Sequence, residues 1–593
     1  MIKKYDDIIE NNKKKEDLIE KKINKKKLFI SIFLSCLVYA CFAQERYISK
    51  YNIVLLPLII FISHFIYHCK FEKKYKKMCF IISIIYTILF LFGNITYEIM
   101  YSKTESVLKM IFSMHSVAIL LGTFPVIYIT VMKVQSLLDN IVIEKKEKKN
   151  TSIFLKTMLC MFLLWLPYFV FYIPGFLTSD SISQIGQIIS GKFNNHHPIA
   201  HTLLELVPFK LGMAITNNAT IATSMITITQ MIIMSAIFSY LIKFLYERNI
   251  NKKILIIIFC YYAILPMNVL YSLSLWKDII FAGIITLLTI ELLTMLEKNR
   301  LNFKQMIRLG TICLLLMLFR HNALYMMFLL VIVLIIVFRK QLKYILPTFI
   351  IVFSLYYIIN IPLFNSLNIG RSESIEYIAI PLQQLGRISY KNGKINKEEK
   401  QELAKVISVE KMKELYDPQN VDAIKFNKSF NIDYFNKHKL KFLKIYLNII
   451  MRNKDIAFES YLSSTLGYWY PNVDYWTLRT EVQDNPYDIK SINIIPKKQK
   501  DYISTLLVTK SVPLYNFIWS IGLYVWLGLF SIACCIYNRE YKKLIIYIPV
   551  IGIWLSLLVA APTFSEYRYM YSLVTTLPLL LLIPKMKIEN LVD

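Results

Sequence analysis

The chain has 593 residues, 56% of them hydrophobic, with a mean hydropathy of +0.46 and a formal net charge of +29. A soluble chain of this size would be nearer half apolar and would split into several domains. The charge does not point to nucleic acid, because the short loops between apolar runs are rich in Lys and Arg, which set membrane topology there.

Residues 1–27 read as a basic cytoplasmic tail without an apolar core or a cleavable signal. A hydrocarbon core of roughly 30 Å takes about 20 helical residues, and by that length criterion about fourteen spans are expected. They fall at 28–43, 53–68, 78–95, 107–132, 154–173, 219–243, 254–271, 278–296, 306–319, 323–338, 344–362, 513–536, 544–561 and 569–584. Strand-type alternation is absent, so the spans read as helices. With the amino terminus inside, the loops 70–77, 144–149, 248–253, 298–308, 339–343, 539–543 and 585–587 are all cytoplasmic, and all are rich in Lys and Arg. The expected architecture is therefore an all-α polytopic membrane protein. Residues 28–362 form a transmembrane module with a large outer loop at 174–218. Residues 363–511 form an α-rich extracytoplasmic domain, and 512–593 supply the last spans. All nine cysteines lie in or beside apolar runs and give neither zinc spacing nor a disulfide framework.

The outer loop opens with Pro174-Gly175, which ends a helix, and Asp180 follows close to the membrane surface. Ile182, Ile185, Ile188 and Ile189 then recur at helical spacing, as do Ile199, Leu203, Leu204, Val207 and Leu211, so two helices are expected to lie in the interface. A carboxylate partly dried by such helices should have a raised pKa, suiting it to take a proton from a hydroxyl. Asp180 is equally well read as the N-cap of a helix starting at Ser181. His196 and His197 admit three readings: ligands of a divalent metal together with Asp180, donors to phosphate, or the close of a turn before Pro198.

Three further clusters fall on the same outer side: Ser274-Leu275-Trp276-Lys277-Asp278, Phe319-Arg320-His321-Asn322 and Ser565-Glu566-Tyr567-Arg568-Tyr569. Ionisable residues at membrane depth are costly and mark functional paths; single cations also snorkel at span ends. Arg320 and Arg568 offer forked donors suited to phosphate, and Lys277 a point charge.

With Pro174-Gly175, Asp180-Ser181, Gln184, Asn195-His196-His197-Pro198, Trp276-Lys277-Asp278, Arg320-His321-Asn322, Pro381-Leu382-Gln383-Gln384, Tyr468-Trp469-Tyr470-Pro471 and Glu566-Tyr567-Arg568-Tyr569, the chain from about residue 150 onward resembles the GT-C glycosyltransferases, within a bacterial family of multipass proteins. That resemblance implies transfer of a sugar from a polyprenyl-phosphate carrier to a cell-envelope acceptor at the outer face of the bacterial cytoplasmic membrane. Asp180 would be the general base of an inverting displacement. Lys277, Arg320 and Arg568, with His196 and His197, would hold the lipid phosphate. Trp469 and Tyr470 would stack on sugar, with Gln184 and His321 as further acceptor contacts. No cofactor is implied with certainty; a divalent metal on Asp180 and His197 stays open. A lipid-linked glycan transporter or flippase, a polysaccharide polymerase and a sensor or scaffold are the competing readings. A transporter predicts broken helices and symmetric halves.

Overall fold

The computed structural model describes residues 73–141, 152–298, 300–370, 378–473, 475–508, 515–560 and 563–586, with isolated positions at 27–33, 35, 60, 63, 64, 67 and 143. The expected tail, most of the first two expected spans and the start of the 513–536 span lie outside the described residues. The chain forms two compact units, residues 1–91 with 108–137, and residues 92–107 with 138–593.

Among the described residues every element is helical apart from isolated β-bridges. The helices used below are α1 (Lys76–Ile99), α2 (Met114–Asp139), α3 (Ser152–Phe171), α4 (Ser179–Ser190), α5 (Ile199–Thr216), α6 (Ala219–Glu247), α7 (Lys252–Ala263), α8 (Pro266–Ser272) and α9 (Lys277–Leu296). They continue with α10 (Phe303–Phe319), α11 (Ala323–Val337), α12 (Leu342–Ile358), α13 (Ala379–Tyr390), α14 (Lys397–Ala404), α15 (Val409–Leu415), α16 (Lys439–Arg452), α17 (Lys454–Thr465), α18 (Lys497–Val508), α19 (Ile521–Tyr537), α20 (Ile548–Ala560) and α21 (Tyr571–Leu582).

Eight of the described helical runs are long and apolar enough to cross a membrane, or nine if the α7–α8 pair counts as one. Fourteen are expected over the whole chain; two of these, 28–43 and 53–68, lie mostly outside the described residues, and two physical features set others apart. The runs at α10, α11 and α19 have only 17, 15 and 17 helical residues, and α21 supplies 12 α-helical residues of a run whose two ends, Tyr567–Met570 and Ile583–Lys585, are wound more tightly. The apolar run 254–271 is not one rod: Pro266 opens a new helix, and α7 and α8 meet at a bend of 48°.

α5 passes the span test where a helix lying in the interface was expected. Its neighbours place it differently. α6, at 29 residues, is about 43 Å long, whereas the 20 residues of α3 reach about 30 Å. Trp165 of α3 meets Phe238 of α6, and Pro174, just past the end of α3, meets Thr227. The first turns of α6 thus run on beyond α3. There Phe209 of α5 shares a core with Ala222 and Ile226 of α6, and with Leu177, Ile185 and Ile188 on and before α4. α4, α5 and the start of α6 form a three-helix block at that end.

In the first unit, Phe80 of α1 packs edge-on against Phe124 of α2, 5.6 Å between centroids. Residues 378–450 build a helical subdomain with a core of its own, including Leu382, Leu385, Ile388, Met412, Phe435, Phe442 and Ile449. Beside that core, buried Glu459 on α17 takes Arg387 at 3.2 Å, Lys391 at 2.6 Å and the amide of Val107 at 3.2 Å. Three donors on one buried carboxylate offset its desolvation.

Candidate functional site

The site is built on irregular backbone held by four distant segments. Residues 173–177 run between two others. Phe176 exchanges backbone bonds with Leu273 (2.9 Å) and Leu275 (3.2 Å), and Leu177 with Glu481 (3.1 Å) and Gln483 (3.0 Å). Trp476 bonds in the same way to Ser565 (3.2 Å) and Tyr567 (3.0 Å). Gln230, buried in α6, donates to the carbonyls of Ser272 (2.9 Å) and Ser274 (2.7 Å) and so closes the end of α8. These bonds satisfy backbone groups that would otherwise be orphaned where the helices stop.

Gly175 sits at φ +117°, and a Cβ there would lie 2.6 Å from Thr227 Oγ1 and 2.7 Å from the Leu273 carbonyl. Gly191, at φ +67°, has nothing within 4 Å of that position. Gly175→Ala is therefore expected to destabilise by about 2 kcal/mol or more, and Gly191→Ala by about 1 kcal/mol. Thermal midpoints of the purified variants check the difference; equal shifts would contradict it.

Asp180 is the second residue of α4, whose N-cap is Thr178, so it does not cap that helix. Thr178 instead accepts from the indole N–H of Trp276 at 2.7 Å, and Ser181 Oγ donates to the Leu275 carbonyl at 2.6 Å. These two bonds fasten the start of α4 to the segment ahead of α9, and so bring Asp180 near Lys277. Asp180 Oδ2 accepts from Arg568 Nη1 at 2.9 Å. The same guanidinium lies 3.3 Å from Glu566 Oε1 through Nε, and 4.7 Å above the Trp276 ring. Lys277 Nζ stands 3.3 Å from His197 Nδ1. Arg320 Nη1 is 3.1 Å from Asp278, and its guanidinium lies 5.2 Å from the centre of the Tyr569 ring. Three cations and three carboxylates thus interleave at the N-terminal end of α9. The Arg248–Glu297 ion pair marks the other end of that helix, about 30 Å away.

Electrostatics correct one expectation. Burial alone would raise the Asp180 carboxyl, but Arg568 and Lys277 outweigh it and hold the group well below the usual carboxylate range. At Glu566 burial wins: its carboxyl is raised to about 7, despite Arg568 beside it. Burial and the nearby Lys277 push His197 down to about 4, so its ring is neutral at pH 7. Arg568 stays charged: burial opposes the charge, while Glu566 and Asp180 favour it.

The expected residues divide clearly. Asp180, Lys277, Arg320, Arg568 and His197 converge. His196 lies beside the group, its ring 4.7 Å from that of His197. His321 Nε2 is engaged by the Asn195 carbonyl at 3.1 Å. Gln184 is buried with both ends of its amide used, on Thr202 (2.9 Å) and His201 (3.2 Å), so it cannot contact an acceptor without giving up those bonds. Tyr470 is fully buried and Trp469 nearly so, with Trp526 donating to the Trp469 carbonyl at 2.8 Å. Both fill packing space, and neither ring is open to a sugar. The aromatic faces at the charges are those of Trp276 and Tyr569 instead. No group of three or more His, Cys, Asp or Glu side chains able to hold a metal occurs among the described residues. Lys277 and Arg568 lie beside both Asp180 and His197, and their charges oppose a divalent ion there.

Glu566, Asp278, Trp276 and Tyr569 sit within the motifs quoted above but were not chosen as site residues; adjacency to Lys277 and Arg568 was the available signal. His201 and Glu205, buried 3.6 Å apart on α5, were missed altogether, and their i, i+4 spacing was the clue.

Described residues that are helical apart from isolated bridges, with several helices long and apolar enough to cross a membrane and a buried ion cluster at one end of them, define a helical membrane protein. It belongs to DUF6020, a family of unknown function, whose sequence pattern matches residues 189–589. The match takes in Lys277, Arg320 and Arg568 and begins nine residues after Asp180. No curated protein and no solved structure matches the chain.

Proposed function

We propose that this protein transfers a sugar from a polyprenyl-phosphate carrier to an acceptor at the outer surface of the cytoplasmic membrane, as a GT-C-type glycosyltransferase. The observation that carries the reading is Arg568, shared between Asp180 and Glu566 and flanked by Lys277 and Arg320. A phosphate entering this group draws the arginine fork onto its own oxygens. Asp180 then loses its strongest partner and becomes a better base. The acceptor hydroxyl oxygen attacks the anomeric carbon and its proton passes to the carboxylate. The sugar–phosphate bond breaks, and its electron pair leaves on the lipid phosphate, where Lys277, Arg320 and Arg568 stabilise it. The envelope acceptor, the inverting outcome and the outward sidedness belong to this same reading. The sidedness is supported by the basic loops at the opposite helix ends.

The test is binding of a polyprenyl phosphate to the purified protein in detergent, followed by native mass spectrometry. Arg320→Ala is expected to weaken it by about tenfold, the worth of one charge-assisted contact. Unchanged binding would remove Arg320 from the phosphate site.

One observation favours a second reading, a transporter or flippase for a lipid-linked glycan. The α7–α8 span is broken by 48° and ends at the site, and broken helices are a hallmark of transporters. Mass spectrometry of lipid-linked sugars in a deletion strain separates the two. Transfer predicts that the charged carrier accumulates while its acceptor lacks one sugar. Transport predicts that a completed lipid-linked glycan accumulates.

A further inference from the structure

We propose that α16 of the 378–450 subdomain lies on the membrane surface, its apolar edge among acyl chains and its lysines at anionic headgroups. α16 has two apolar faces. Phe442 and Ile449 are buried in the subdomain core. On the other side Leu440, Leu443, Leu447 and Met451 are 83%, 47%, 50% and 62% exposed. At 100° per residue these four fall within a stripe about 80° wide. Lys439 lies on one flank of that stripe and Lys444 on the other, while Lys441, farther round, pairs with Glu402 at 2.7 Å. An exposed apolar stripe bordered by lysines is the pattern of a helix in a bilayer interface, where the stems run along the apolar surface and the ammonium groups reach phosphate.

The placement of the subdomain argues for the same occupant. Arg387 donates to the Met100 carbonyl at 2.7 Å, Tyr390 to the Tyr101 carbonyl at 3.0 Å and Lys391 to the Glu105 carbonyl at 2.6 Å. Those carbonyls directly follow the last turn of α1, one of the helices that can cross a membrane. The subdomain is thus tied at the level where a span ends, and a leaflet is the apolar phase nearest at hand. The flanking lysines select an anionic leaflet, each charge near such a surface favouring contact by about fivefold. Nothing here depends on the glycosyl-transfer reading.

The experiment places a benzoylphenylalanine photocrosslinker at Leu447, and in a control at the exposed Glu398 of α14. The full chain is reconstituted in nanodiscs of phosphatidylcholine, with or without about one third phosphatidylglycerol, and adducts are read by mass spectrometry. The expected result is lipid adducts from position 447 at five times or more the yield from 398. The yield should rise with phosphatidylglycerol and fall at least about fivefold when Lys439 and Lys444 are changed to Gln. Equal yields at 447 and 398, adducts joining two protein copies, or a yield indifferent to phosphatidylglycerol would each overturn the proposal.

Discussion

Asp180→Asn is expected to lower sugar transfer by about 100- to 10,000-fold, the worth of a general base, while polyprenyl phosphate still binds. The retained binding follows from geometry. In the proposed reaction Asp180 would compete with the phosphate for Arg568, whose Nη1 it now holds, so removing its charge should free the guanidinium and leave affinity equal or tighter. Full transfer by the variant would remove Asp180 from the reaction. Glu566→Gln makes the informative comparison. Glu566 titrates near 7, inside the working range, whereas Asp180 stays ionised throughout it. If Glu566 must be ionised, the rate should rise through pH 7, and Glu566→Gln should erase that limb. Stability should move the opposite way. The folded state raises the Glu566 pKa, so this carboxyl stabilises fully below the ordinary carboxylate range, and the contribution is lost as pH rises through about 7. The thermal midpoint of the unaltered protein should therefore fall from pH 5 to pH 8, and less so for Glu566→Gln.

Arg568→Ala is expected to have the largest combined effect. The guanidinium is the shared partner of two carboxylates in a buried cluster and rests on Trp276. Removing one member of such a cluster strands the others, at a cost of about 3–5 kcal/mol. Binding of polyprenyl phosphate should fall by tenfold or more as well. Arg568→Lys should rescue little, because an ammonium cannot span Asp180 and Glu566 while lying flat on an indole. A Lys variant with the original midpoint and affinity would show that only the charge matters.

Much of the fold was legible because lipid imposes a simple rule: long apolar runs become helices, and basic loops border them. α1, α3, α6 and α9 fall close to their expected positions. What failed was the treatment of each run as a straight rod. Pro266 lies within the apolar run 254–271, and the 48° bend there separates α7 from α8, whose end reaches the site. The gathering of Lys277, Arg320 and Arg568 followed from sidedness, which is a pattern along the chain. The state of Asp180 did not, because partner choice is not a local property. Burial was foreseeable; a guanidinium arriving from the far end of the chain was not, and it reverses the direction of the shift. Trp469 and Tyr470 misled for a similar reason. An aromatic run in a polar segment suggests a sugar platform, but here it fills the space between helices.

The span of that Asp180–Arg568 contact has a consequence for biogenesis. The two residues are 388 positions apart. At a synthesis rate of roughly 5–20 residues per second, the carboxylate waits about 20–80 s for its partner. Through that interval α4 and α5 have already emerged, yet the segment that completes the ion cluster does not exist. The ion cluster is thus completed late and at once, when residues 563–568 dock between Trp476 and Trp276, so a nascent chain stalled before this point carries Asp180 without its hydrogen-bonded guanidinium. Such a chain would be a natural target for membrane quality control.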